Sequence, residues 1–287
     1  MLEASMVVVG DEILGGYVTD TNSPFLADRL RTHGVPFARA HVVPDTMDSI
    51  AEALQAELDR GGPRVVITSG GIGSTPDDLT YEAVAAALGR PLVEDPVIGE
   101  RIAGAVEWSR EQGFEVDDTF LWHLGRMARI PADARLLQRE GGWAVAVAVD
   151  VDGGSDAGGT TVVILPGVPS EFRALLEQAV EPALLAGRNP VPEVRELQHT
   201  YPESALNRTF ITMQERWPQV KLGSYPGRPM LVRLAGSRDD VDAAAAFVGE
   251  AIAALDASPA GARRAADRAA RATADADAEA DDTGDGG

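Results

Sequence analysis

Three short apolar runs, each followed by a segment with helical spacing, limit what this chain can become more than any other feature. Ser5-Met6-Val7-Val8-Val9-Gly10 reads as a buried first strand, Val35 to Val43 as a second and Arg64 to Thr68 as a third. Between the first two, Asn22-Ser23-Pro24 opens a helix, with Asn22 or Ser23 as N-cap and the proline in the first turn. Phe25, Leu26, Leu30 and the stem of Arg29 supply its inner face, and His33-Gly34 ends it. Between the second and third strands, Thr46 or Asp45 caps a helix running through Arg60, with Ile50, Ala53, Leu54 and Leu58 on one side. Gly61-Gly62-Pro63 breaks it. Strand, helix, strand, helix, strand implies a parallel sheet with right-handed crossovers, and so an α/β fold.

The pattern continues with helices over Leu79 to Leu88, Pro96 to Gln112 and Asp118 to Ala128. Ala134 to Gln138 and Trp143 to Val149 read as strands, the second forming a hairpin with Thr160 to Leu165. The acidic, glycine-rich stretch between them, Asp150 to Gly159, reads as an exposed tip and an insertion. Phe172 to Leu185 returns to a helix. From Val191 to Leu255 the order is strand, helix (Ser204 to Glu215), strand (Leu222 to Tyr225), strand (Met230 to Ala235) and helix (Asp239 to Leu255), a small α+β unit of its own. The domains expected are therefore 1–187, 188–257 and a disordered acidic tail over 258–287, in which Ala260 to Ala272 has an amphipathic pattern but little to bury.

Chemistry concentrates in Thr68 to Thr80, which reads TSGGIGSTPDDLT. Gly70, Gly71 and Gly73 let the backbone pass close to a ligand. The loop points its N–H groups and the positive end of a helix dipole at one place, an arrangement that attracts phosphate. It is neither a Walker A loop, having no Gly-Lys-Ser/Thr, nor a dinucleotide fingerprint, since it closes the third strand. Asp77 and Asp78 beside it would repel an anion unless a cation intervened, so the economical reading is a phosphate ligand held through Mg²⁺ or another divalent ion. The plainer alternative is a glycine-rich turn with Asp77 or Asp78 as a helix cap. Two more loops are expected at the same sheet edge: Gly10 to Gly16 followed by Asp20-Thr21-Asn22, and Leu165-Pro166-Gly167-Val168-Pro169-Ser170-Glu171. Asp11, Glu12, Asp77 and Asp78 would then meet as carboxylates from separate loops. Taken singly, Asp11-Glu12 is equally a solvated turn and Glu171 a first-turn helix acid.

Composition excludes several classes. The chain has 287 residues and no cysteine, which removes disulfides, thiolate catalysis and cysteine-ligated zinc. His33, His41, His123 and His199 are scattered without metal spacing and read as surface or satisfied core residues. The net charge is −20, and residues 258–287, with seven acids and four arginines, carry only −3 of it. Such self-repulsion is relieved in molar salt, where the Debye length falls to about 3 Å. With one lysine, Lys221, among 25 basic residues, the composition fits a salt-adapted (halophilic) protein from a GC-rich, haloarchaeal genome. An acidic body argues against nucleic-acid binding. No run of 18 apolar residues points to a membrane span, and the start of the chain has no signal-peptide pattern, so a cytoplasmic location is expected.

Together, Gly10-Asp11-Glu12-Ile13-Leu14-Gly15-Gly16 with Asp20-Thr21-Asn22, the Gly70 to Thr80 loop, and Leu165 to Glu171 resemble the N-terminal domain of the competence/damage-inducible protein A (CinA) family, a relative of the MogA/MoaB molybdopterin-binding fold. Tyr201-Pro202-Glu203-Ser204 and Leu222-Gly223-Ser224-Tyr225-Pro226 are similar to that family's small C-terminal subdomain. The resemblance implies a three-layer molybdopterin-binding sandwich with a mostly parallel sheet, and a homodimer. It implies either metal-dependent hydrolysis of a nucleotide-sugar pyrophosphate such as ADP-ribose, or molybdopterin binding and adenylylation; a third reading is a nucleotide- or pterin-binding module without turnover. By the resemblance the acid at Asp78 is central to catalysis and the one at Asp11 contributes. Asp78, Asp11 and Glu12 are then the candidate metal ligands, and Asp77 the residue orienting water. Gly70, Gly71, Gly73, Ser74 and Thr75 would cradle phosphate, while Asn22, Pro166, Gly167 and Glu171 would hold the rest of the ligand. The family's nicotinamide mononucleotide deamidase domain has no counterpart in this sequence, so no deamidase activity is expected. Gly15-Gly16 and Ser74 depart from the family pattern within the ligand loops.

Overall fold

The computed structural model describes residues 1–138 and 142–266. They divide into two compact units after Val191. In the first, β1 (Glu3–Val9) passes through a single helical turn, α1 (Asp11–Leu14), to α2 (Asn22–Thr32), β2 (Phe37–Val43), α3 (Met47–Leu58) and β3 (Arg64–Ser69). After the glycine loop come α4 (Thr80–Ala87), β4 (Leu92–Glu94), α5 (Pro96–Glu111), α6 (Asp118–Arg126), β5 (Arg129–Pro131), β6 (Arg135–Leu137), β7 (Ala146–Val151), β8 (Thr160–Leu165) and α7 (Pro169–Leu175). A π-helix over Leu176–Leu185 continues α7, where an uninterrupted α-helix is expected from sequence.

The six-stranded sheet runs β2-β1-β3-β8-β7-β6, parallel from β2 to β8, with β7 antiparallel to β8 and β6 antiparallel to β7. Strand periodicity explains the three layers. Successive side chains point to opposite faces, so Ala4, Met6, Val8, Val65, Ile67, Val163 and Leu165 enter one core and Val7, Val9, Val66, Val162 and Ile164 the other. The first core is closed by Leu26 and Leu30 of α2, Phe172 and Leu175 of α7, and Val180 and Leu184 of the π-helix. The second is closed by Ile50 and Leu54 of α3, Tyr81 and Val84 of α4, and Ile98 and Ile102 of α5. Full burial of each such aliphatic side chain is worth roughly 1.5–3 kcal/mol.

The second unit is a three-stranded antiparallel sheet, order β10-β11-β9, built from β9 (Glu193–His199), β10 (Lys221–Tyr225) and β11 (Met230–Gly236). Phe210 and Met213 of α8 (Asn207–Arg216) and Val241, Ala244 and Val248 of α9 (Arg238–Asp256) pack with Val232 and Leu234 of β11. Among the described residues no helix is long and apolar enough to cross a membrane.

Several local expectations change. The N-cap of α2 is Thr21, and Asp20 Oδ1 takes the N–H groups of Asn22 and Ser23 at 2.9 and 3.0 Å, because the Asn22 side chain is drawn inward. The segment Asp150 to Gly159 forms the tip of the β7–β8 hairpin, with Asp152, Gly153 and residues 156–158 exposed, but it is anchored to the body of the unit. Ser155 and Gly159 are buried, Ser155 N–H donates to Thr161 Oγ1, and Gly159 O accepts from Arg64 N at 3.0 Å. The two-stranded pair β4–β5 is absent from the sequence reading, since three residues apiece are too few to show alternation. Residues 259–266 are helical where a disordered tail is expected from Ser258, and Arg264 Nη1 donates to Thr200 O at 2.9 Å; the rest of that tail reading, 267–287, lies outside the described residues.

Candidate functional site

The parallel strands end on one side of the sheet, where α/β folds place ligands. The loops that leave β1, β2, β3 and β8 there, together with residues entering β7, line a cavity of about 460 Å³. Its wall includes Glu12, Asn22, Asp45, Gly70, Gly71, Gly73, Thr75, Asp77, Asp78, Pro166, Gly167 and Glu171. The structure therefore brings together most of the residues singled out from sequence. Asp11 and Ser74 do not line the cavity.

The glycine loop is held by its own ends. Thr80 N–H donates to Gly71 O at 2.9 Å, and the buried Thr80 hydroxyl donates to Gly70 O at 2.8 Å. The first N–H of α4 is thus spent inside the loop, which corrects the expectation that it faces a ligand. The N–H groups of Ile72, Gly73 and Ser74 make no hydrogen bond among the described residues. Gly70 has φ +103°, and a Cβ there would lie 2.3 Å from Val9 O. Gly70→Ala is therefore expected to lower stability by about 1–3 kcal/mol, read as a reduced urea midpoint at unchanged slope.

Neither Asp77 nor Asp78 caps α4, whose N-cap is Leu79. Asp78 Oδ2 instead accepts from Thr75 N at 2.8 Å and from the Thr75 hydroxyl, closing the turn. A Cβ at Gly73 would stand 2.7 Å from that carboxylate oxygen, so glycine makes room for it. Across the cavity Asn22 is 6% exposed. Its amide donates to Ser69 Oγ at 3.0 Å and Gly167 O at 2.9 Å, which leaves Asn22 Oδ1 buried without a partner. A buried acceptor left open is costly, so the wall is set to receive a donor.

Asp45 is the carboxylate missed from sequence, where it reads only as an alternative helix cap. Thr46 takes that role by accepting from Ser49 N. Asp45 Oδ2 is then free to accept from Asp11 N at 2.7 Å. Burial pushes the Asp45 carboxyl up, and the negative charges of Glu12, Asp11 and Asp77 add to that, against the opposing Asp11 N–H. The three candidate metal ligands do not form a ready-made cage: among the described residues no group of three or more His, Asp or Glu side chains is placed to hold a metal ion. His33 and His41 instead bond the buried carboxylates Glu181 and Glu57, at 2.8 and 2.9 Å. The sequence reading also passes over Tyr81, Ile98, Arg101, Met127 and Trp143, which complete the cavity wall.

Residues 5–186 match the family described as "Probable molybdopterin binding domain". A CinA-like protein of Myxococcus xanthus is 33% identical over 261 residues, 86% of this chain and 58% of that protein. A second CinA-like protein, from Anaeromyxobacter dehalogenans, is 32% identical over 84% of this chain and 59% of its own length. The chain thus spans a little over half of these two relatives. Protein TK1472 of Thermococcus kodakarensis is 34% identical, covering 78% of this chain and 85% of its own. Among solved structures, the protein CinA from Thermoplasma acidophilum superposes with a TM-score of 0.51 at 32% identity, covering 63% of this chain and 96% of that one. Matched over residues 5–186 by that family and over most of its length by CinA-like relatives, the chain belongs to the CinA-like family of molybdopterin-binding domains.

Proposed function

We propose that this cavity binds a nucleotide-sugar pyrophosphate such as ADP-ribose and hydrolyses its pyrophosphate bond. The observation that carries the reading is the convergence, on one cavity wall, of a glycine loop with unspent N–H groups, the carboxylates of Glu12, Asp45, Asp77 and Asp78, and the open acceptor Asn22 Oδ1. The N–H groups of the loop would hold phosphoryl oxygens, and Asn22 Oδ1 would accept a ribose hydroxyl. Asp77 would orient the attacking water. Its oxygen bonds to phosphorus as the bridging P–O bond breaks, giving AMP and ribose 5-phosphate, with the water protons passing to solvent.

The donor set fits a divalent cation that arrives with the substrate. Mg²⁺ keeps several waters and is commonly held by one or two carboxylates plus substrate phosphates, without an all-protein cage. When bound, such an ion would neutralise phosphate charge and lower the pKa of water. Asp78 and Glu12 line the cavity and would hold it; Asp11 lies outside the wall and would act through its N–H contact with Asp45. The family description supports a second reading, in which the same loop binds molybdopterin; adenylylation of the bound pterin would be the reaction of that reading. Incubation with ADP-ribose and MgCl₂ in molar KCl is expected to release AMP, with no release in EDTA. Saturable binding without product would leave a binding module, and retention of a fluorescent pterin by the purified protein would favour the second reading.

A further inference from the structure

We infer that the β7 side of the cavity is a ring-binding subsite, in which Trp143 offers a stacking face and Arg101 acts as a positioning residue for it. The inference rests on the proposed phosphate-binding role of the glycine loop and extends it to the other end of the ligand. Sheet order fixes the geometry. Along the ligand-bearing edge the loops follow as β2, β1, β3, β8 and then the start of β7. Because β7 is antiparallel to β8, its entry, Trp143 to Val145, falls at the same edge as the carboxyl ends of the parallel strands. The lining acids Glu12, Asp20, Asp45, Asp77 and Asp78 follow β1, β2 and β3, Glu171 follows β8, and none belongs to the entry of β7. Trp143 stands two strand positions beyond β3, about 10 Å at ordinary strand spacing. A mononucleotide whose phosphate sits at the glycine loop can extend its base over most of that distance.

The wall changes character over that distance. Away from the acid-bearing loops the lining includes Ile98, Met127, Trp143, Ala144 and Val145, and among the described lining residues the only cation is Arg101. Trp143 lines the cavity yet remains 47% exposed, so a large aromatic surface is left for a ligand to cover. Arg101, on α5, donates through Nη1 to the carbonyls of Gly142 and Trp143, and through Nη2 to Gln138 Oε1 at 3.3 Å. The guanidinium therefore fixes the backbone that carries the indole. An apolar wall with one aromatic plate suits a planar heterocycle joined to a phosphate, the chemistry shared by an adenine nucleotide and a phosphorylated pterin.

The test uses the whole chain in molar KCl and three ligands: AMP, neopterin monophosphate and the ringless ribose 5-phosphate. At least one ring-bearing ligand is expected to quench tryptophan fluorescence, and Trp143→Leu is expected to abolish that quench and weaken its binding about tenfold or more, the scale of one stacked base. Ribose 5-phosphate affinity should stay within about twofold. Arg101→Lys keeps the charge but loses the rigid planar group that reaches the two carbonyls through Nη1 and Gln138 through Nη2 together; it should lose the preference for the ring-bearing ligand and leave ribose 5-phosphate binding unchanged. Equal weakening of ringed and ringless ligands by Trp143→Leu, no weakening of either, or failure of both ringed ligands to bind would overturn the subsite. Release of AMP from ADP-ribose is scored separately, so loss of hydrolysis with intact ring discrimination counts against the proposed reaction alone.

Discussion

Glu57→Ala is expected to cost about 3–5 kcal/mol of folding stability, the scale for breaking a buried ion pair by removing one partner. Glu57 is fully buried on α3, facing β1 and β3. Its carboxylate accepts from Ser5 Oγ at 2.5 Å, His41 Nε2 at 2.9 Å and Arg64 Nη1 at 3.4 Å. Arg64 is itself buried, so the variant strands a guanidinium in the protein interior with only Glu3 Oε2, at 2.9 Å, as its remaining carboxylate. Glu57→Gln keeps the shape and an acceptor and should lose less. Urea unfolding at neutral pH measures both; a loss under about 1 kcal/mol for Glu57→Ala would mean that water replaces the carboxylate.

The same residue sets an acid limb. Burial pushes the Glu57 carboxyl up, but hydrogen bonds from His41 and Ser5 and the charges of His41 and Arg64 more than offset this and hold it below its usual range. A depressed carboxylate contributes stability above its unfolded pKa, near 4.3 for glutamate, and loses it as the pH falls through the folded value. Glu181, bonded by Arg29 at 2.6–2.7 Å and by His33, is lowered in the same way and adds to the same limb. Stability below about pH 4 should therefore decline less steeply in Glu57→Ala than in the parent.

Glu57 also shows where sequence reading stops. The helical spacing of Ile50, Ala53, Leu54 and Leu58 places α3 correctly, and the strand-helix-strand order through β1, β2 and β3 announces a parallel sheet. Those signals are local. Nothing within one turn of Glu57 says that it will meet Ser5, 52 positions away, or Arg64, seven positions on at the start of β3. The site divides along the same line. Gly70 and Gly167 are legible because the first adopts φ +103° and a Cβ on the second would stand 3.2 Å from Gly70 Cα, both demands that glycine meets. Asn22 is placed on the right helix and, by the resemblance, at the ligand, but its contacts with Ser69 and Gly167, 47 and 145 residues distant, which draw it away from the cap, are not legible in the helix pattern. Arg101 and Trp143 touch across 42 positions, and neither belongs to a recognisable motif.

Asp78→Asn is expected to reduce turnover of ADP-ribose by at least about 100-fold, the scale for losing one preorganised electrostatic group, with little change in stability. Asparagine can still make the local contacts of this position. One Asp78 oxygen accepts both the N–H and the hydroxyl of Thr75, and the Asp78 carbonyl accepts from Arg126 Nη2 at 2.8 Å. Asparagine retains an acceptor oxygen and the carbonyl, so the turn and its tie to α6 persist. What disappears is the negative charge beside Gly73 on the cavity wall. If that charge helps to hold a cation brought by the pyrophosphate, the variant should need more Mg²⁺ for half-maximal rate and should bind AMP, which lacks the pyrophosphate, about as well as the parent does. Glu12→Gln should raise the Mg²⁺ requirement in the same direction. Asp77→Asn should lower the rate at saturating Mg²⁺ without moving the midpoint, because its assigned task is to orient water. Full activity in Asp78→Asn would remove this carboxylate from the reaction and leave the loop as a binding element alone.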